Sequence, residues 1–439
     1  MALRRIEADE IERHLSVLTR DIGVRLAGSV GEQQAAAYIG AQWERDGLDV
    51  RHEPFAVGER AVTEERLEVC LQGRWRVFPC SLLSNAPGTG GAVIEAPLAS
   101  IDVETGYQRP DLSYLTGKAV VHLGSHIEHA EQYRRLMAAQ PALLLFVDVR
   151  YPGREVTADG MFPAYRHAYG AVPTVSVAYQ DAWDWGASGA TAARLQVSGG
   201  MRASQSANVI GEVPGSDPDA GVLYVGAHHD TQAHSVGADD NGSGVAAVLA
   251  LGRLWAATRP RRTLRLISFG AEEQLSVGSA VHVRRQRHEV STRGRLMFNF
   301  DSFGSVLGWS RLVCDGAGPL AVALAQRLAA ADEYVQVVDE RVPYADHFPF
   351  AAAGLPTAWL GRHNCAAGRF FHHRPDDDMT RVSCPLVARQ AQAVGEVLAE
   401  LAAQAAWPLA IAPDPQRQAA VQAMWDGLFG GWGGFADAP

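Results

Sequence analysis

The chain has 439 residues, 47% of them hydrophobic and 20% charged, with a formal net charge of −10. That length can bury one large core and a second beside it, in a composition ordinary for a globular protein. The acidic balance, with no stripe of Lys and Arg, argues against a nucleic-acid partner.

Apolar spacing predicts helices over 5–20 (Ile6, Ile11, Leu15, Leu18) and 30–47 (Ala36, Ile39, Trp43), with a Gly23–Ser29 loop between them. Residues 48–56 read as a strand. From about 60 to 200 the pattern changes to short strands with Gly and Pro breaks, among them Leu67–Leu71, Lys118–Leu123, Ala142–Val147 and Val172–Val177, with a helix at 127–139. This stretch is taken as a separate, mostly β insert. After Asn208, strands at Val222–Ala227, Thr263–Phe269, Arg295–Phe300 and Thr357–Leu360 alternate with helices at 241–257, 276–288, 317–330 and 385–403. Continuous apolar strands alternating with helices imply an α/β fold, an α/β/α sandwich on a mainly parallel mixed sheet. The expected organisation is a discontinuous catalytic domain (1–60 and 205–404), the insert (61–204) and a C-terminal arm (405–439). The arm reads either as a packed or dimer-forming element, which would make a homo-oligomer, or as a mobile lid.

The five cysteines (Cys70, Cys80, Cys314, Cys365 and Cys384) are scattered and form no C-x-x-C, so neither a disulfide framework nor a cysteine-zinc site is expected. No run of about 18 apolar residues suggests a membrane span. The first ten residues lack an apolar signal core, and the expectation is a cytoplasmic enzyme.

Chemistry concentrates at the ends of the expected strands. Gly226-Ala-His228-His-Asp230 closes one apolar run, and Gly237-Ala-Asp-Asp240-Asn-Gly-Ser-Gly244 opens the next helix. Glu272-Glu273 follow a strand, Asp301 follows another, and His372-His373 come later. Ligands of α/β sheets gather at the carboxyl ends of strands. Imidazoles and carboxylates bind zinc, and a second carboxylate can fix an imidazole from behind. The ordered set points to a two-metal hydrolase. Considered alone, Asp239 or Asp240 could instead cap the helix that follows.

These words resemble the di-zinc aminopeptidase superfamily, which also contains glutamate carboxypeptidase II, transferrin receptor and glutaminyl cyclase. The resemblance covers roughly 5–56 and 205–400. It rests on Arg25-Leu-Ala-Gly-Ser, Gly-Ala-x-Asp240-Asn-x-Ser-Gly, Phe269-Gly-Ala-Glu-Glu, Gly278-Ser, Asn299-Phe-Asp301 and Asp346-His-Phe-Pro-Phe. It implies two zinc ions bridged by Asp240, one also held by His228 and Asp301, the other by Glu273 and His373. His228 stands in the His-x-Asp register, so Asp230 can orient it, and His229 either supports the ligands from behind or is simply packed. His373-Arg-Pro-Asp-Asp377 matches the family's His-x-Pro-x-Asp. His372 then stands where relatives often carry a Tyr that stabilises the tetrahedral intermediate; it either fills that role or lines the cleft. Glu272 resembles the general base that deprotonates a zinc-bridged hydroxide's parent water. Asp346 and His347 are expected to line the substrate cleft, Asp346 meeting a positive group or capping a turn. The insert resembles a protease-associated domain through Gly117-Lys-Ala-Val-Val-His-Leu and Val172-Pro-Thr-Val-Ser-Val, or is an unrelated lid.

The implied activity is removal of N-terminal residues from a peptide substrate. A carboxypeptidase or dipeptidase of the glutamate carboxypeptidase II type would need a cationic pocket, for which Arg362, Arg369 and Arg374 are candidates. A glutaminyl cyclase with a single zinc and a non-catalytic binding protein are the remaining alternatives; the complete ligand set speaks against both.

Overall fold

The computed structural model describes residues 4–435 apart from 125, 126, 128, 317, 367 and 409–413. Parts of five expectations lie outside the described residues: positions 1–3, 317 and 367 of the catalytic domain, 125, 126 and 128 of the insert, 128 of the 127–139 helix, 317 of the 317–330 helix, and 409–413 and 436–439 of the arm. The chain forms two compact units, Met1–Val57 with Ser204–Asp426, and Gly58–Ala203 with Gly427–Pro439.

The first unit is built on one twisted sheet. Its strands run in the order Val335–Asp339, Trp309–Asp315, Thr357–His363, Gly294–Phe300, Val222–His228 and Thr263–Phe269, followed by the C-terminal half of Ala192–Val213. The four strands from Thr357–His363 to Thr263–Phe269 are mutually parallel, and antiparallel neighbours flank them on both sides. Alternation along a strand divides the core between two faces. Leu223, Val225 and Ala227 join a cluster with Ile11, Leu15, Trp43, Val248, Trp255 and Leu398 from the helices of one face. Tyr224 points the other way, where its ring meets His282 and Phe350. The sandwich is therefore three layers, as the alternating pattern predicts.

Local chemistry sets the helix ends. Val30–Asp46 starts at Ser29, whose hydroxyl accepts the Glu32 N–H, and stops at Gly47 in a left-handed conformation. The helix Gly244–Trp255 is buried on nearly every side. Gly252 lets it approach Trp43: a Cβ there would lie 2.6 Å from the indole.

Three strands of this unit are absent from the sequence expectation: Trp309–Asp315, Val335–Asp339 and the half of Ala192–Val213 that pairs with Thr263–Phe269. Trp309–Asp315 is hidden by its mixture of Ser, Arg and Asp with apolar residues. Val335–Asp339 is an edge strand with Gln336 and Val337 exposed, so it lacks the burial alternation that reveals inner strands. The expected strands 48–56 and 67–71 are one strand, Asp49–Leu71. Gly58 and the charged residues after it look like a break, but the ladder carries the extended backbone through them.

In the second unit, Ile94–Asp102, Ala119–Leu123, Leu143–Val147 and Thr174–Val177 pair in parallel. The helices Ala130–Ala138, Pro163–Tyr169 and Tyr179–Ala187 lie among them in sequence, two more than the pattern predicts. Leu143, Leu144, Leu145 and Val147 are fully buried. All five cysteines are free. Among the described residues, no helix is long and apolar enough to cross a membrane.

Candidate metal and catalytic site

His228 is the last residue of its strand, and the chain leaves the sheet there, so its imidazole meets side chains from two neighbouring strand ends and from the segment that opens the next helix. Its Nε2 lies 3.3 Å from Asp240 Oδ1, 3.8 Å from Asp301 Oδ1 and 3.9 Å from Glu272 Oε2. Its Nδ1 faces Asp230, 3.2 Å from the backbone oxygen and 3.4 Å from the carboxylate. Asp230 does a second job: its two oxygens accept the Glu272 and Glu273 N–H groups at 2.9 and 3.1 Å.

A second cluster forms on the other oxygen of Asp240. Asp240 Oδ2 lies 3.5 Å from His373 Nε2, which is 3.0 Å from Glu273 Oε2. His372 Nδ1 is 3.2 Å from the same Asp240 oxygen, and its ring stacks on His373 at 3.5 Å between centroids. Ligand-type atoms of His228, Asp240 and Asp301 lie within 4.8 Å of one another, and so do those of Asp240, His372 and His373. Asp240 thus belongs to both groups.

Neither Asp239 nor Asp240 caps the following helix. Ser243 is its N-cap residue, without a side-chain cap bond, and Asn241 Oδ1 accepts the Gly244 N–H at 3.0 Å. Asp239 Oδ1 takes the Gly304 N–H. Asp377 accepts the backbone N–H groups of Asp239 and Asp240 at 2.9 and 3.0 Å, locking the segment that presents Asp240. Asp377 belongs to the His-x-Pro-x-Asp word, but the sequence does not reveal this contact across the fold.

Two arginines hold parts of the site together in roles that the sequence does not assign them. Arg25 is fully buried and donates to the carbonyls of Leu18, Gly23, His229, Val236 and Gly237, joining the first loop to both arms of the His228–Asp240 segment. Arg369 donates to Asp240 Oδ2 at 2.9 Å and to His372 Nδ1 at 2.8 Å. Its position four residues before His373 was the available signal.

Asp346 and His347, expected to line the cleft, are as buried as the candidate ligands, and Asp346 lies close enough to Glu272 and His228 to interact electrostatically with both. Both are buried, and His347 stacks on Trp359 at 5.9 Å. They stand at the start of the helix His347–Ala352, every residue of which is buried. Asp346 has no side-chain cap bond to that helix.

The electrostatics are those of crowded carboxylates. Burial pushes Glu272 well above the usual carboxyl range; His228 opposes this, while Asp346, Asp301 and Glu273 add to it. Glu273 is raised by burial too, against the pull of His373. Asp346 is pushed up to about 8 by burial, with His228 and Ser279 opposing. Burial disfavours charge on His228, but Glu272, Asp230, Asp240 and Asp301 outweigh it and hold its pKa well above normal. Asp240 goes the other way: burial is overcome by Arg369, His228, His372 and His373, and it stays ionised. Glu273 Oε1 is buried without a hydrogen-bond partner. Buried carboxylates are kept by partners or by metal ions. An N/O donor set with an orphaned oxygen and an aspartate shared between two groups fits a pair of divalent cations.

A three-layer sandwich with such acid–imidazole clusters at the carboxyl ends of its parallel strands defines the zinc-exopeptidase type of fold. Residues 208–398 match the family described as Peptidase family M28. The chain is 24% identical over 379 residues to aminopeptidase YwaD of Bacillus subtilis, covering 84% of this chain and 79% of the relative. The crystal structure of a zinc aminopeptidase from Bacillus subtilis aligns with a TM-score of 0.76 at 21% identity, over 94% of this chain and all of that one. A peptidase M28 precursor from Shewanella amazonensis aligns with a TM-score of 0.77 at 19% identity, over 93% and 97%. At these identities the solved structures speak for the fold.

Proposed function

We propose that the protein is a co-catalytic di-zinc exopeptidase that removes N-terminal residues from peptides. The observation that carries this reading is Asp240, shared between two ligand groups beside Glu272. His228 and Asp301 would hold one zinc ion, Glu273 and His373 the other, with Asp240 common to both. When bound, the ions supply positive charge that acidifies water and polarises the scissile carbonyl. Glu272 accepts the proton of the attacking water and returns it to the leaving amine. Asp230 holds the backbone on which Glu272 stands and turns the His228 ring. His372 receives the Arg369 N–H on Nδ1, so its own proton sits on Nε2 and can be donated to the developing oxyanion. Asp346 and His347, being buried, support the floor of the site.

The arginines that suggest a carboxylate pocket are already engaged. Arg362 donates to Ser305 and Ser310, Arg374 to the Phe370 carbonyl and Asp376, and Arg369 to Asp240. Their engagement and the acidity of the site support recognition of an α-amine rather than a C-terminal carboxylate. The family and the curated aminopeptidase relative support the same reading. The insert 61–204 is read as protease-associated-like, its parallel strands being the supporting feature.

The test is a panel of aminoacyl-nitroanilides and of dipeptides with free or acetylated N-termini, with metal analysis of the same sample. Cleavage of the free amines with two zinc ions per chain is expected. Faster cleavage of N-acetylated dipeptides would move the protein to the carboxypeptidase reading.

A further inference from the structure

Four consecutive backbone N–H groups in the turn that carries Glu272 and Glu273 are each taken by a buried side chain from elsewhere. Gly270 donates to Asn208 Oδ1 at 3.2 Å and Ala271 to Glu32 Oε1 at 3.0 Å, while Glu272 and Glu273 donate to Asp230. The turn needs such restraint. Ala271, Leu275 and Ser276 all have positive φ (53°, 72° and 48°), a conformation that non-glycine residues keep only when their surroundings over-determine it.

Glu32 is the unexpected member. Ser29-x-x-Glu32 reads as a capping box, in which the glutamate would turn back to the N–H of residue 29. Half of the box is present: Ser29 Oγ accepts the Glu32 N–H at 3.3 Å. The other half is not, because the Ser29 N–H goes to the Leu26 carbonyl. The carboxylate instead accepts Gly28 N–H on Oε2 at 2.6 Å, and Ala271 N–H and the Ser206 hydroxyl on Oε1 at 3.0 and 2.7 Å. It is 1% exposed. The approach depends on Gly270, where a Cβ would stand 2.2 Å from Ser206 Oγ and 2.9 Å from Glu32 Oε1. A carboxylate that the helix start could use for itself is committed to the residue before Glu272.

We propose that Glu32 is a positioning residue for Glu272: through the Ala271 amide it fixes the left-handed entry of the turn and so the direction of the Glu272 carboxylate. This rests on Glu272 being the general base. Glu32→Gln keeps one acceptor oxygen but sets an NH2 against the N–H of either Gly28 or Ala271, and Glu32→Ala removes both oxygens. Ser29→Ala is the control, since it weakens the start of the same helix without touching Ala271.

With zinc content unchanged, Glu32→Gln is expected to lower kcat by roughly ten- to a hundredfold while KM stays within about threefold, because small misplacement of a catalytic group is costly. Ser29→Ala should lower the melting temperature yet keep kcat within about twofold, its catalytic geometry being intact. Amide hydrogen exchange over 270–273 should accelerate in Glu32→Gln and not in Ser29→Ala. If Glu32→Ala does not fold, Ser206→Ala, which takes one donor from Oε1, should give a smaller kcat loss of the same kind. Wild-type kcat in Glu32→Gln, or equal kcat losses in Glu32→Gln and Ser29→Ala, would overturn the proposal. A failure of the general-base reading is separable: it would appear as wild-type turnover in Glu272→Gln, whereas exchange at Ala271 reports on the Glu32 contact itself.

Discussion

Replacing Arg25 by Met tests whether the first loop holds the candidate site together. The guanidinium donates five bonds, to the carbonyls of Leu18, Gly23, His229, Val236 and Gly237, from a fully buried position. At about 1.5 kcal/mol net for each bond from a charged group, their loss costs roughly 7 kcal/mol. Burial also lowers the Arg25 pKa from 12.5 to about 10, with Asp230, Asp377, Glu273 and Asp240 opposing. Removing that disfavoured charge recovers about 3 kcal/mol at 1.36 kcal/mol per pKa unit. The net loss is about 4 kcal/mol, a fall in melting temperature of roughly 8–16 °C for a domain of this size. Because His229, Val236 and Gly237 flank Asp230 and Asp240, zinc retention should weaken together with stability. Calorimetry with metal analysis reads both. A fall of less than about 3 °C, the size of a 1 kcal/mol change, with zinc retained, would refute the reasoning and leave Arg25 a bystander.

Glu272→Gln should keep both metals and lose roughly 10²–10⁴-fold in kcat, as expected for a general base; steady-state kinetics on an aminoacyl-nitroanilide measures it. Glu273→Gln and His373→Ala should each reduce stoichiometry from two zinc ions towards one, and metal titration showing two tight ions in either variant would contradict the assigned ligand groups. Stability should decline on acidification partly through His14, which hydrogen-bonds Tyr38 at 2.7 Å. Burial, then Arg13, Arg253 and Arg45, lowers its pKa from 6.5 to about 3, so the unfolded chain binds more protons between those values and stability is lost as pH falls through that window. The loss from this group between pH 7 and 5.5 is about 1 kcal/mol, and His14→Gln should flatten the denaturation curve by that amount.

Most candidate ligands were legible in the sequence because they sit in short words at strand ends, which apolar runs and the turns that stop them reveal, whereas Asp240 and His373 stand apart from strand ends and rest on the resembling words Gly-Ala-x-Asp-Asn-x-Ser-Gly and His-x-Pro-x-Asp. His228 after Val222–Ala227, Glu272 and Glu273 after Thr263–Phe269, and Asp301 after Arg295–Phe300 need only local pattern and the rule that α/β sheets gather function at their carboxyl edges. Pairing between distant segments has no such local trace. Nothing around Asp377 announces that it accepts amides 137 and 138 positions away, and the place of Arg369 four residues before His373 puts it near the site without naming Asp240 as its partner. The capping-box word at Ser29–Glu32 even points to a different partner from the one Glu32 has. Asp346 is expected in the cleft only through its resemblance to the family's segment; its full burial at the start of an apolar helix is not written in the residues around it. Backbone hydrogen bonding and hydrophobic periodicity act over a few residues and are written in the chain. The choice of partner for a buried donor or acceptor is made only when the layers close, because desolvation then leaves each polar group to find whatever lies within about 3 Å.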